Sequence, residues 1–119
     1  MSYSVVLSEQ AVVDLLSIYD YIANTLSAPL AAARLIDRLE DAIARLADIP
    51  EGFVRYEEEP WYGRGLRRMP VGNYCVFYIP NSMNTEVSVV RILLEVGTYK
   101  KSLMRILTIQ DDSPEPLQR

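Results

Sequence analysis

The sequence predicts an α+β fold of order β-α-α-β-β-β, with two antiparallel N-terminal helices packed on one face of a small, mostly antiparallel sheet. Three observations carry this. Apolar residues recur at three- and four-residue steps in two windows before residue 50, the spacing of one helical face. Three β-prone segments separated by turn residues follow residue 65. A short β-branched stretch precedes the first helical window, so strands and helices are segregated as in a helix layer on a sheet.

Residues 3–7 (YSVVL) read as the first strand and end at Ser8, a good N-cap. In residues 9–24, Val12, Leu15, Tyr19 and Ile22 mark the inward face of the first helix. Ser27 is the expected cap of the second, with Pro29 in its first turn. Ala32, Ile36, Leu39, Ile43 and Leu46 form its apolar stripe, and Pro50 and Gly52 stop it. The charges Arg34, Asp37, Arg38, Glu40, Asp41 and Arg45 on its other sides read as a solvated face with local ion pairs.

Residues 51–64 hold Gly52, Pro60, Gly63 and the run Glu57-Glu58-Glu59, and read as a loop pinned by Phe53, Tyr56, Trp61 and Tyr62. Strands are expected at 66–71, 74–79 and 86–94, with turns at Gly72-Asn73 and at residues 80–84. On the middle strand of this meander Tyr74 and Tyr78 alternate with Cys75 and Phe77, so one pair faces the helices and the other faces away, with core packing as the expected role. Residues 1–107 are expected to form a single domain. Residues 108–119 are acidic and proline-bearing, a composition that favours disorder. Residues 100–107 have the pattern of a terminal helix, Leu103, Ile106 and Leu107 packing down and Lys100, Lys101 and Arg105 exposed.

Composition narrows the chemistry. The chain has 119 residues, half of them hydrophobic, which suits one globular domain. It has no histidine, which removes the usual general acid/base near neutral pH and the commonest metal ligand. Cys75 is the only cysteine, so no internal disulfide forms. The run of three glutamates has no ligand spacing, and neither metal nor cofactor is expected. No apolar run reaches a membrane span, and residues 1–4 lack the basic start of a secretory signal, so a cytoplasmic location is expected. With net charge −4, any contact with nucleic acid is local. Arg64, Arg67, Arg68 and Arg91 supply one local basic patch, if the meander brings them together, that would hold phosphates or an acidic partner segment. The plainer alternative is that Arg67 and Arg68 alternate across their strand, one solvated and one paired with the glutamate run.

Residues 58–78, EEPWYGRGLRRMPVGNYCVFY, resemble a branch of the ParE/RelE toxins of type II toxin-antitoxin systems, in which a Trp-bearing loop leads to GLR, then MPVGNY, then a strand ending FY. The likeness extends to Asp14-Leu15, to residues 19–23 (YDYIA), to Leu35-Ile36-Asp37 and to residues 90–93 (VRIL), roughly the first 94 residues. It implies a cognate antitoxin whose C-terminal segment wraps the toxin; a homodimer or a hetero-oligomer with that antitoxin is the expected assembly. It implies either of two targets, DNA gyrase for ParE-like members or mRNA on the ribosome for RelE-like ones. Arg64, Arg67, Arg68, Tyr74, Tyr78 and Arg91 are then candidates for binding target or antitoxin.

A RelE-like ribonuclease activates a ribose 2′-OH, stabilises the phosphorane and protonates the leaving oxygen. The family uses basic strand residues with an Arg and a Tyr near the C-terminus. Carried over, Arg68 stands where such enzymes place a strand lysine, with Arg67 and Arg91 as further catalytic candidates. Cys75 occupies the place of their arginine, and Tyr99 and Arg105 fall near the terminal pair with the types exchanged. The nuclease set is therefore poorly matched, and the reading favours a ParE-like growth inhibitor acting on gyrase. A protein-binding module on the same scaffold is the remaining class. After Leu93 the chain departs from the family's usual ending. Suitable codons for residues 94–112, read one base out of frame, permit a family-like sequence starting Gly-Gly-Arg-Asp, which implies a frameshift near Leu94 and an impaired toxin. The nucleotide sequence tests this, because codons that cannot encode that run refute it.

Overall fold

The structure, a computed structural model, describes residues 2–94. The elements follow in the expected order: β1 (Ser4–Leu7), α1 (Glu9–Asp20), α2 (Pro29–Arg45), one helical turn α3 (Trp61–Arg64), β2 (Arg67–Val71), β3 (Tyr74–Asn81) and β4 (Glu86–Leu94). The strands form one mixed sheet of order β1-β4-β3-β2. β1 runs parallel to β4, and the rest is the antiparallel meander. The expectations for residues after Leu94, namely the terminal helix at 100–107, the tail at 108–119 and the frameshifted ending, lie outside the described residues.

The N-cap role of Ser8 holds: its Oγ accepts from the Ala11 N–H at 3.0 Å and donates to the Val90 carbonyl at 2.9 Å. One hydroxyl therefore starts α1 and ties it to β4. The buried face of α1 is rotated from the expected one. Ala11 and Asp14 are buried, with Leu15 and Ile18 packed beside them, while Val12 and Tyr19 are exposed. Counting only large apolar residues misses a small residue and a charge that point inward.

The first helix ends in a π-helical turn, Tyr21–Thr25, closed by the bond from the Leu26 N–H to the Tyr21 carbonyl. This wide turn forces the chain through a left-handed conformation at Ser27, with φ 54°. Ala28, not Ser27, therefore stands at the N-cap of α2. Pro29 at the first helical position removes one of the donors a cap would satisfy. The expected stripe of α2 is correct: Ala32, Leu39, Ile43 and Leu46 are buried, and Ile36 is half-buried.

Gly72 adopts φ 60° at the β2–β3 turn, the first central position of a type II′ hairpin that glycine fills without strain. β3 runs two residues beyond expectation, because Pro80 pairs with Val87 past the point where β2 has ended. A proline is tolerated there, since its missing N–H faces no neighbouring strand. The loop before β2 is more ordered than expected. Val54 and Tyr56 bond to Arg68 and Leu66, so the loop lies along the outer edge of β2. The sheet is buried on both faces. Met69, Val76, Tyr78, Val89 and Ile92 meet the helices, while Cys75, Phe77 and Val90 meet Tyr56, Trp61 and Leu66 from the loop.

Candidate functional site

The polar centre of the molecule is an ion pair that periodicity did not single out. Arg91 on β4 lies beyond the end of β1, where the sheet has lost its neighbouring strand and α1 passes instead. Its Nε donates to Asp14 Oδ2 at 2.8 Å and its Nη2 to Asp14 Oδ1 at 2.9 Å. Asp14 Oδ2 also accepts the Ile92 N–H at 2.8 Å. The carboxylate thus replaces the missing strand as acceptor, and Ser8 does the same for the Val90 carbonyl. Both partners are buried, Asp14 8% exposed and Arg91 7%. Asp14 was visible in sequence only as part of the family likeness. Its position between Ala11 and Ile18 on the true inward face was the available signal.

The other arginines are engaged by different partners. Arg67 faces Tyr78 across the β2–β3 ladder, and its Nη1 donates to the Phe53 carbonyl at 2.6 Å and to that of Glu51 at 3.5 Å. Arg68 pairs with Phe77 on the opposite sheet face. Its guanidinium stands over the Tyr56 ring, 5.9 Å from the centroid. Arg64, exposed on α3, stands 5.3 Å from the Trp61 ring centroid. The expected cluster of four arginines therefore does not form as one patch. Arg91 is withdrawn into the Asp14 pair, and Arg67 and Arg68 project to opposite faces because neighbours on a strand alternate. Arg67 and Arg68 do alternate across the strand, Arg67 bonding to loop carbonyls and Arg68 standing over a tyrosine ring.

Tyr74 and Tyr78 turn toward the helices, and Cys75 and Phe77 toward the second core. Burial pushes the Tyr78 hydroxyl up to about 12, against the opposing effects of the Arg67 cation and the Phe53 backbone. Tyr74 is raised by burial and, secondarily, by Tyr21. A tyrosine that is harder to ionise is a poor general base at neutral pH. Among the described residues, no group of three or more His, Cys, Asp or Glu side chains is placed to hold a metal ion, and no helix is long and apolar enough to cross a membrane.

Helices on one face of a four-stranded sheet with this connectivity define a known toxin fold. The chain superposes on a structure of the chromosomal ParDE toxin-antitoxin system of P. aeruginosa with TM-score 0.66 and 18% identity, covering 80% of this chain and 98% of that one. It superposes on the RelBE2 toxin-antitoxin complex of Mycobacterium tuberculosis with TM-score 0.57 and 20% identity, covering 80% and 100%. For a mutant of the E. coli toxin RelE in the free state, the values are 0.55, 15%, 89% and 99%. No curated protein matches in sequence. Residues 5–95 match the family described as ParE toxin of type II toxin-antitoxin system, parDE. The chain belongs to that family of toxins.

Proposed function

We infer that the protein is a growth inhibitor that acts by binding DNA gyrase and is neutralised by a cognate antitoxin. The observation that carries the choice of target is the fate of Arg67, Arg68 and Arg91. Phosphoryl-transfer chemistry needs donors that converge on one phosphate. Here the three guanidinia serve loop carbonyls, an aromatic ring and a buried carboxylate. That dispersal favours recognition of a protein over cleavage of RNA. Arg64 and Arg68, with the partly accessible Tyr74, are the members of the candidate set suited to touch a target or an antitoxin. Arg67, Tyr78 and Arg91 act from within the fold.

The antitoxin is supported by the family match and by the toxin-antitoxin assemblies among the structural neighbours. Purified protein added to gyrase supercoiling reactions and, separately, to ribosomes carrying mRNA tests the target. Inhibition of supercoiling with intact mRNA is the expected result, and mRNA cleavage without effect on gyrase overturns it. Expression alone should arrest growth, and co-expression with the product of the neighbouring gene should restore it.

A further inference from the structure

Between the C-terminal half of α2 and β2 lies a cleft of about 320 Å³ that the functional reading leaves without a role. Its floor is apolar, made by Phe53, Met69 and Val71, and its rim carries Arg38 and Arg45 with Asp41 between them. Residues 38 and 45 are seven apart and share one helix face. Both are exposed, and neither makes an ion pair or hydrogen bond among the described residues. Arg38 leans over the β2–β3 turn, its Nη1 3.4 Å from where a Cβ on Gly72 would sit. Two guanidinia that are unpaired among the described residues, above an apolar floor, suit an acidic peptide that carries an apolar side chain.

Such a segment exists in this chain: Asp111-Asp112-Ser113-Pro114-Glu115-Pro116-Leu117. The sheet delivers the chain close to the cleft. Leu94, the last residue of β4, pairs with Tyr74, and Tyr74 pairs with Val71 on the cleft floor. At roughly 4.8 Å per strand spacing, β4 ends about 10 Å from that floor. Residues 95–110 can reach several times that distance, since a chain extends up to ~3.5 Å per residue. A tethered segment has an effective concentration on the order of millimolar, so individually weak charge contacts suffice. The two guanidinia of this rim attract an acidic segment.

We propose that residues 111–117 dock into this cleft in cis, with their carboxylates on Arg38 and Arg45 and Leu117 over Phe53, Met69 and Val71. The docked tail acts as a tethered competitor against any separate acidic peptide that reads the same cleft. The test uses a fluorescent peptide of residues 108–119 titrated at low salt into three full-length proteins of matching circular dichroism. These are the unaltered chain, the tail variant Asp111→Asn/Asp112→Asn/Glu115→Gln, and that tail variant carrying Arg38→Glu/Arg45→Glu in addition. The peptide should bind the tail variant at least about tenfold more tightly than the unaltered chain, and the added arginine changes should abolish binding. Equal binding to the unaltered and tail-neutralised proteins would show an open cleft meant for a separate partner and would overturn the proposal. So would absence of binding to both. Self-association of the unaltered chain that the tail changes abolish would assign the cleft to a second copy's tail and overturn docking in cis.

Discussion

Asp14 and Arg91, 77 residues apart in sequence, hold each other by two hydrogen bonds of 2.8 and 2.9 Å inside the molecule. The same carboxylate takes the Ile92 amide. This one side chain therefore joins α1 to the stretch of β4 that β1 does not reach.

Replacing Asp14 by Leu leaves a buried guanidinium and a buried amide without an acceptor. Breaking a buried pair in this way costs about 3–5 kcal/mol. The double variant Asp14→Leu/Arg91→Leu should be more stable than Asp14→Leu alone, because only the Ile92 amide remains orphaned, at about 1–3 kcal/mol. Urea denaturation of the three proteins measures both effects. A single variant that loses less than about 1 kcal/mol would show that the pair does not hold the helix to the strand.

Ser8 serves two partners, the Ala11 amide and the Val90 carbonyl. Ser8→Ala should cost about 1–2 kcal/mol, at the upper end for a lost cap. Ser8→Thr should recover most of that loss, since its hydroxyl can reach both partners. Thermal unfolding followed by circular dichroism distinguishes the two variants.

Tyr78 sets an alkaline limit. Its folded-state value of about 12 lies above the ordinary 10, so the folded protein holds the phenolic proton more tightly than the unfolded chain does. That contribution is complete below pH 10 and is lost as pH rises from 10 to 12. A difference of this size corresponds to about 2–3 kcal/mol. Tyr78→Phe should flatten the stability profile over this window relative to the unaltered chain. Parallel profiles would contradict the assignment.

Arg67 fastens the loop before β2 by its bond to the Phe53 carbonyl. Arg67→Ala should raise amide exchange at residues 53–56 and cost about 1–3 kcal/mol, the range for losing a charged hydrogen bond. If Arg67 were instead a free phosphate ligand, the variant would alter activity and leave exchange in the loop unchanged.

Much of this architecture was legible because local chemistry and fold agree. Gly72-Asn73 sits at the hairpin, Ser8 caps its helix, and the stripe from Ala32 to Leu46 faces inward. The failures have a common cause. The Asp14–Arg91 pair depends on a partner distant in sequence, and the rotated face of α1 follows from burying that charge beside Ala11. Ser27 is a plausible cap in isolation, but the preceding π-helical turn places it in left-handed backbone. The four-arginine patch counted strand positions without the loop carbonyls and aromatic rings that engage those side chains.

β3 carries four consecutive buried residues, Cys75, Val76, Phe77 and Tyr78, with no alternation between inside and outside. Substitution at any of them disturbs one core or the other, so this strand has little room for evolutionary drift. Changes of specificity within such a scaffold must accumulate at its perimeter: the outer helical surfaces, the aromatic loop and the strand ends. Along that perimeter a substitution can alter what the surface presents without opening either core.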